Sequence, residues 1–121
     1  MRILIVDDEP EICRNIKDYL ELEGLTDNYM AYSGIQALNI IKTEKIQFVI
    51  SDIQMPNGDG LSMTKAIMKE LKGSPPIILT SGFNEYSHDE IMKTGAITLM
   101  KKPIDLRRLI KIIRSYEKNC A

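Results

Sequence analysis

The chain has 121 residues, 44% hydrophobic and 27% charged, with 16 Lys and Arg against 17 Asp and Glu, and a formal net charge of −1. That length fits one domain with one core, 1–121, and leaves little for a second or for an output or DNA-binding module. A charge near zero gives no global attraction to nucleic acid or to an anionic membrane. The apolar runs are far shorter than a membrane span, and the stretch between Arg2 and Asp7 is too short for a signal-peptide core. Cys13 and Cys120 lie far apart in sequence, and without a secretory signal both are expected as free thiols in a reducing cytoplasm.

In chain order, Arg2-Ile3-Leu4-Ile5-Val6 runs into Asp7-Asp8 and reads as a first strand. Ile12, Ile16, Tyr19 and Leu20 then repeat at helical spacing, with Gly24 as the stop. Tyr29-Met30-Ala31-Tyr32 is a short second strand, and Ser33-Gly34-Ile35-Gln36 has the capping-box form for a helix that buries Ala37, Leu38 and Ile41. Gln47-Phe48-Val49-Ile50-Ser51 runs into Asp52, followed by a loop rich in turn formers from Gln54 to Gly60. Leu61, Ile67, Met68 and Leu71 mark a third helix, ended by Lys72-Gly73-Ser74-Pro75-Pro76. Pro76-Ile77-Ile78-Leu79-Thr80 runs into Ser81, and Ser87-His88-Asp89-Glu90 caps a helix that reaches about Thr94 before Gly95. Ala96-Ile97-Thr98-Leu99-Met100 runs into Lys101-Lys102-Pro103, and the last helix turns Leu106, Leu109, Ile110, Ile113 and Tyr116 inward. Unbroken aliphatic runs alternating with helices specify a parallel sheet covered on both faces, so the expected fold is α/β, a doubly wound (βα)5 domain with five parallel strands.

In such sheets ligands bind beyond the carboxyl ends of the strands. That edge gathers three acids, a hydroxyl and an amine: Asp7, Asp8, Asp52, Ser81 and Lys102. Like charges held together repel unless a cation joins them, and carboxylate oxygens without a softer ligand suit Mg²⁺. A positive charge from Lys102 and a hydroxyl from Ser81 would stabilise charge spread over phosphoryl oxygens, leaving Asp52 free as a nucleophile. Each residue alone has a plainer role. Asp8, two before Pro10, is placed to cap the first helix; Ser81 suits a loop hydroxyl bonded to its own backbone; Lys102 suits a solvated amine. Asp52, an acid directly ending a buried strand, is the hardest to explain structurally.

The chain resembles the response-regulator receiver domains of two-component signalling from end to end. The resemblance rests on Ile3-Leu4-Ile5-Val6-Asp7-Asp8-Glu9-Pro10, Ser51-Asp52-Ile53-Gln54-Met55-Pro56 with Asp59-Gly60, Thr80-Ser81-Gly82, and Gly95-Ala96 followed by Lys102-Pro103. It implies a flavodoxin-like topology, Asp52 as phosphoacceptor, and Mg²⁺ held by Asp8 and Asp52 with help from Asp7 and the backbone carbonyl of Gln54. By the same resemblance Ser81 is the switch hydroxyl, Lys102 contacts the phosphoryl group, and a cis bond precedes Pro103. The small Gly82 leaves room for phosphate to enter. A sensor histidine kinase or phosphotransfer protein would supply the phosphoryl group, and the chain would catalyse only its own phosphorylation and dephosphorylation. The surface from the fourth helix to the fifth would signal to a downstream protein, with a phosphorylation-dependent homodimer left open.

One position departs from the family pattern. The aromatic usually found three residues before the lysine is replaced here by Leu99, which points to weak coupling to the far face or another route; Phe83 and Tyr86 are candidate substitutes but read first as ordinary, partly buried loop aromatics. Arg107, Arg108, Lys111, Arg114 and Lys118 form a basic stripe that reads first as a solvated helix face and, with the resemblance, as a site for an acidic partner patch. His88, the only histidine, is neither ligand nor phosphodonor in this reading. The competing functions are a degenerate receiver that binds partners without phosphorylation and a Mg²⁺-dependent aspartyl-phosphate phosphatase. Against the latter, the acids are adjacent rather than in a DxD motif, and the nucleophile follows the third strand.

Overall fold

The computed structural model describes residues 1–55, 60–71, 73–82 and 87–117. Phe83, Tyr86, Lys118, Cys120, most of the loop before Gly60, and the side chain of His88 lie outside the described residues. Strands and helices alternate as β1 (Ile3–Val6), α1 (Pro10–Leu22), β2 (Asn28–Ala31), α2 (Gly34–Glu44), β3 (Phe48–Asp52), α3 (Gly60–Glu70), β4 (Ile77–Ser81), α4 (His88–Met92), β5 (Thr98–Lys101) and α5 (Leu106–Glu117). All strand pairs are parallel and the sheet order is β2-β1-β3-β4-β5, the flavodoxin-like order.

The unbroken apolar runs occupy the middle of this sheet. β1, β3 and β4 are buried along their whole length, whereas the edge strands β2 and β5 are partly open. Alternation along each strand divides the core. Leu4, Val6, Val49, Ile77 and Leu79 pack under α2, α3 and α4, while Ile3, Ile5, Phe48, Ile50 and Ile78 pack under α1 and α5. Phe48 meets Tyr116 of α5 edge to face, with ring centroids 5.7 Å apart.

Local signals place most helix ends. Pro10 opens α1, its N-cap is Glu9, and no side chain caps that end, so Asp8 is released from the capping role. At α2, Ser33 Oγ accepts from the Gln36 amide at 3.1 Å, and Gln36 Oε1 accepts from the Tyr32 amide at 2.8 Å, one residue before the usual box partner. Ser87 caps α4 through the Glu90 amide. That helix stops at Met92, short of the expected Thr94, because residues 93–95 form a turn in which the Thr94 hydroxyl donates to the Ile91 carbonyl at 2.6 Å and Gly95 takes φ +97°.

α3 differs from the sequence reading on its inward face. Met63, Thr64 and Ile67 are buried, whereas Met68 is 38% exposed. The helix buries Thr64 at little cost because its hydroxyl donates to the Gly60 carbonyl at 2.7 Å, and a polar residue in the inward row is invisible to a hydrophobic periodicity.

The start of α3 is fixed by a backbone-to-backbone approach. A Cβ on Gly60 would lie 2.4 Å from the Asp52 carbonyl oxygen, and the Gly60 amide donates to the Ile53 carbonyl at 2.8 Å. Glycine is required there because α3 begins directly on the end of β3. Gly60→Ala is therefore expected to lower the urea-unfolding free energy by about 1–3 kcal/mol. Gly82→Ala, whose Cβ meets nothing within 4 Å, is expected to change it by less than about 0.5 kcal/mol.

Candidate functional site

Three strand ends converge at the carboxyl edge. Asp7 and Asp8 follow β1, Asp52 closes β3, and Lys102 follows β5. Lys102 Nζ lies 3.1 Å from Asp7 Oδ2 and 3.1 Å from Asp52 Oδ2, so one ammonium bridges two carboxylates of different strands. Asp7 is 2% exposed and Asp52 7%, so both carboxylates are out of bulk water while Lys102 stays partly exposed. One oxygen from each of Asp7, Asp8 and Asp52 falls within 4.8 Å of the others.

The three acids hold different positions. Both oxygens of Asp7 are engaged, Oδ2 with Lys102 and Oδ1 with the Glu9 amide at 3.0 Å, so Asp7 anchors the turn after β1. Asp8 is exposed, and among the described residues none hydrogen-bonds its carboxylate. Asp52 is buried and shares Lys102 with Asp7. Burial pushes its carboxyl above the ordinary value, and the neighbouring Asp7 charge adds to this; Lys102 and the Gln54 amide work the other way. Burial disfavours the Lys102 ammonium, but its hydrogen bonds to Asp7 and Asp52 outweigh that and hold it above the usual lysine range.

A shallow pocket of about 320 Å³ opens over this cluster, lined by Asp8, Glu9, Asp52, Gln54, Gly82 and Lys102. With no Cβ at position 82, its rim is open on that side. Hard oxygen donors, one of them exposed, beside a pocket of this kind suit a small divalent cation that keeps several waters. The Lys102–Pro103 peptide is cis.

Ser81 sits one strand further along. The register pairs Asp52 with Thr80, and Ser81 follows at the buried end of β4, 1% exposed, its carbonyl accepting from the Lys102 amide at 2.9 Å. Ser81 continues the parity of Ile77 and Leu79 and so belongs to the α2–α3–α4 half of the core. Leu99, opposite Leu79 in the register, is partly buried and packs against that same half. Asp8, Asp52 and Lys102 thus share one pocket with Asp7 buried behind it, while Ser81 and Leu99 occupy the adjoining face.

Two contributors carry little signal in the sequence. Gly60, read from the sequence as the end of a turn-rich loop and as part of the resemblance, instead opens α3 and seats it against the carbonyl of Asp52. Cys13 lies directly beneath the first acid, its thiol 3.5 Å from the Asp7 carbonyl and fully buried. Burial, reinforced by the Asp7 charge, pushes that thiol up to about 12, so it is an inert free thiol. A cysteine at helical spacing from Ile16 and Leu20 is the one sequence signal for its inward position.

A five-stranded parallel sheet in the 2-1-3-4-5 order, with an acid cluster and a lysine meeting at its carboxyl edge, defines a receiver-type α/β domain. The chain belongs to the response regulator receiver domain family, which matches it over residues 3–114. It is 32% identical over 114 residues to the transcriptional regulatory protein CpxR of Escherichia coli, covering 94% of this chain and 48% of that protein, so the chain spans about half the length of this curated relative. The receiver domain of a Francisella response regulator, 1452, superposes with a TM-score of 0.87 at 28% identity, covering 99% of this chain and 98% of that one. CheY from Borrelia burgdorferi, solved in complex with CheX, BeF3 and Mg²⁺, superposes with a TM-score of 0.85 at 27% identity, covering 95% and 87%. The chain is thus a receiver domain of two-component response regulators, a family that is generally not enzymatic toward external substrates and whose members bind Mg²⁺ at an acidic pocket. Among the described residues no helix is long and apolar enough to cross a membrane.

The raised Asp52 carboxyl has a signed consequence for stability. A carboxyl held above its ordinary value of 3.8 binds its proton more tightly in the folded state, so ionising it costs stability as pH rises through that value and the raised one. In metal-free buffer, Asp52→Asn is expected to melt at a higher temperature than the parent at neutral pH, with a smaller gap in acid. Calorimetry over a pH series measures this, and a gap that widens toward acid would contradict the burial argument.

Proposed function

We propose that this receiver domain accepts a phosphoryl group on Asp52 in a Mg²⁺-dependent reaction and loses it by its own hydrolysis. The bridging of Asp7 and Asp52 by Lys102 Nζ at 3.1 Å carries this reading, because it supports a fixed positive charge beside a buried carboxylate at an open pocket. Asp8, Asp52 and the backbone carbonyl of Gln54 would hold the metal, with Asp7 assisting. Bound there, Mg²⁺ would neutralise charge on the phosphoryl oxygens and relieve the repulsion among the acids.

The chain's own groups do the rest. A carboxylate oxygen of Asp52 attacks phosphorus, the nitrogen–phosphorus bond of a donor phosphohistidine breaks, and its electron pair stays on the imidazole. Lys102 then turns from the Asp52 carboxylate to a phosphoryl oxygen, and the Ser81 hydroxyl donates to another. Water attack on phosphorus later releases orthophosphate and restores the Asp52 carboxylate. Receiver domains interact with histidine kinases or phosphotransfer proteins, and a sensor histidine kinase or phosphotransfer protein is the donor proposed here. We read residues 1–121 as one receiver domain working in the cytoplasm without direct contact with nucleic acid or membrane. Output passes through the α4-β5-α5 face, whose exposed Lys101, Arg107, Arg108 and Lys111 suit an acidic partner patch or a second copy.

Intact-mass measurement after incubation with acetyl phosphate and Mg²⁺ tests this directly. The parent is expected to gain one phosphoryl group, and Asp52→Asn and a chelated sample none. No gain in the parent, together with no Mg²⁺-dependent spectral change on titration, would favour a degenerate receiver acting through its surface alone.

Leu99 bears on how far the signal travels. Leucine has no phenol to form a new hydrogen bond and less volume to exchange between two packings beside Ser81. Weak coupling is expected in the parent, so Leu99→Tyr should enlarge the phosphorylation-dependent NMR shifts across residues 83–102. Equal responses in the two proteins would overturn this.

A further inference from the structure

We propose that Met68 is a peroxide-sensitive modification site whose oxidation loosens the turn between α4 and β5. Of the seven methionines, Met55, Met63 and Met100 are buried, at most 7% exposed. Met68 and Met92 are 38% and 40% exposed. The two differ in what the thioether does. A Cβ built on Gly95 would lie 2.9 Å from Met68 Cγ and 3.0 Å from both its Sδ and Cε, so the whole end of this side chain lies over the bare glycine. Its sulfur also accepts from the Ser74 hydroxyl at 3.2 Å. Met68 therefore ties three segments together: α3, the loop before β4, and the left-handed turn that feeds β5, where Gly95 has φ +97°.

The step is a two-electron oxidation by a peroxide. The sulfur lone pair attacks one peroxide oxygen, the O–O bond breaks, an S=O bond forms, and water leaves with the second oxygen. The sulfoxide oxygen is a much better acceptor than a thioether and takes over the Ser74 hydroxyl, drawing the polar group toward the exposed loop. Its contact with Gly95, which depends on an apolar and flexible chain end, is lost. Glycine has no side chain of its own to fill the gap, so the turn before Leu99 and Lys102 loses its cover. The proposal is independent of whether Asp52 is phosphorylated.

Limiting hydrogen peroxide with peptide-resolved mass spectrometry and amide exchange tests it on the intact chain. Met68 sulfoxide is expected to form about tenfold or more faster than sulfoxide at Met63 or Met100. Amides of residues 93–99 should then exchange faster, recovering after treatment with methionine sulfoxide reductases. The exchange change should persist in Met92→Leu and vanish in Met68→Leu. Oxidation of Met68 no faster than of the buried methionines, unchanged exchange in the sulfoxide form, or a change that survives in Met68→Leu would each overturn the proposal.

Discussion

The carboxyl edge of this domain depends on one ammonium group held between two buried carboxylates. Lys102 is 95 residues from Asp7 and 50 from Asp52 in sequence, yet it lies 3.1 Å from each. Removing either carboxylate from water is costly, and removing the cation would leave both charges uncompensated beside an exposed third. The three strand ends must therefore be held in mutual register for the cluster to exist. The sheet supplies that register: β3 pairs directly with β1, and β4 links it to β5, where Ser81 lies opposite Lys101.

The same cluster is balanced rather than satisfied. Two anions share Lys102, and Asp8 remains exposed beside them. The raised Asp52 carboxyl registers this imbalance, since burial and the Asp7 charge together outweigh the help of Lys102. A group that adds positive charge at the pocket would relieve that repulsion. The packing beneath is rigid by comparison: α3 starts on the Asp52 carbonyl, where only glycine fits, and an inert thiol lies under Asp7.

Away from the pocket, the α2–α3–α4 half of the core contains the residues that could carry a change outward. Ser81 and Leu99 share its parity, and Met68 closes the turn leading into β5. Leucine in place of an aromatic at position 99 lowers the contrast between two packings there. An exposed methionine over Gly95 makes the same region open to a chemical input distinct from the acid cluster.

Much of this was legible in the residues. Four apolar runs ending in acids, a serine and a lysine determined the parallel sheet and the edge where its chemistry lies, because burial on both faces leaves a pattern that depends on local composition alone. Capping residues Ser33 and Ser87 and the proline at the start of α1 were equally local. Tertiary structure decided what composition does not encode. It freed Asp8 from helix capping, turned Met68 to solvent while burying Thr64 through a hydrogen bond to Gly60, and ended α4 early at a glycine turn. It alone set which carboxylates share Lys102 and which remains open to the pocket, because those relations are distances between segments far apart in the chain, fixed only when the whole sheet has formed.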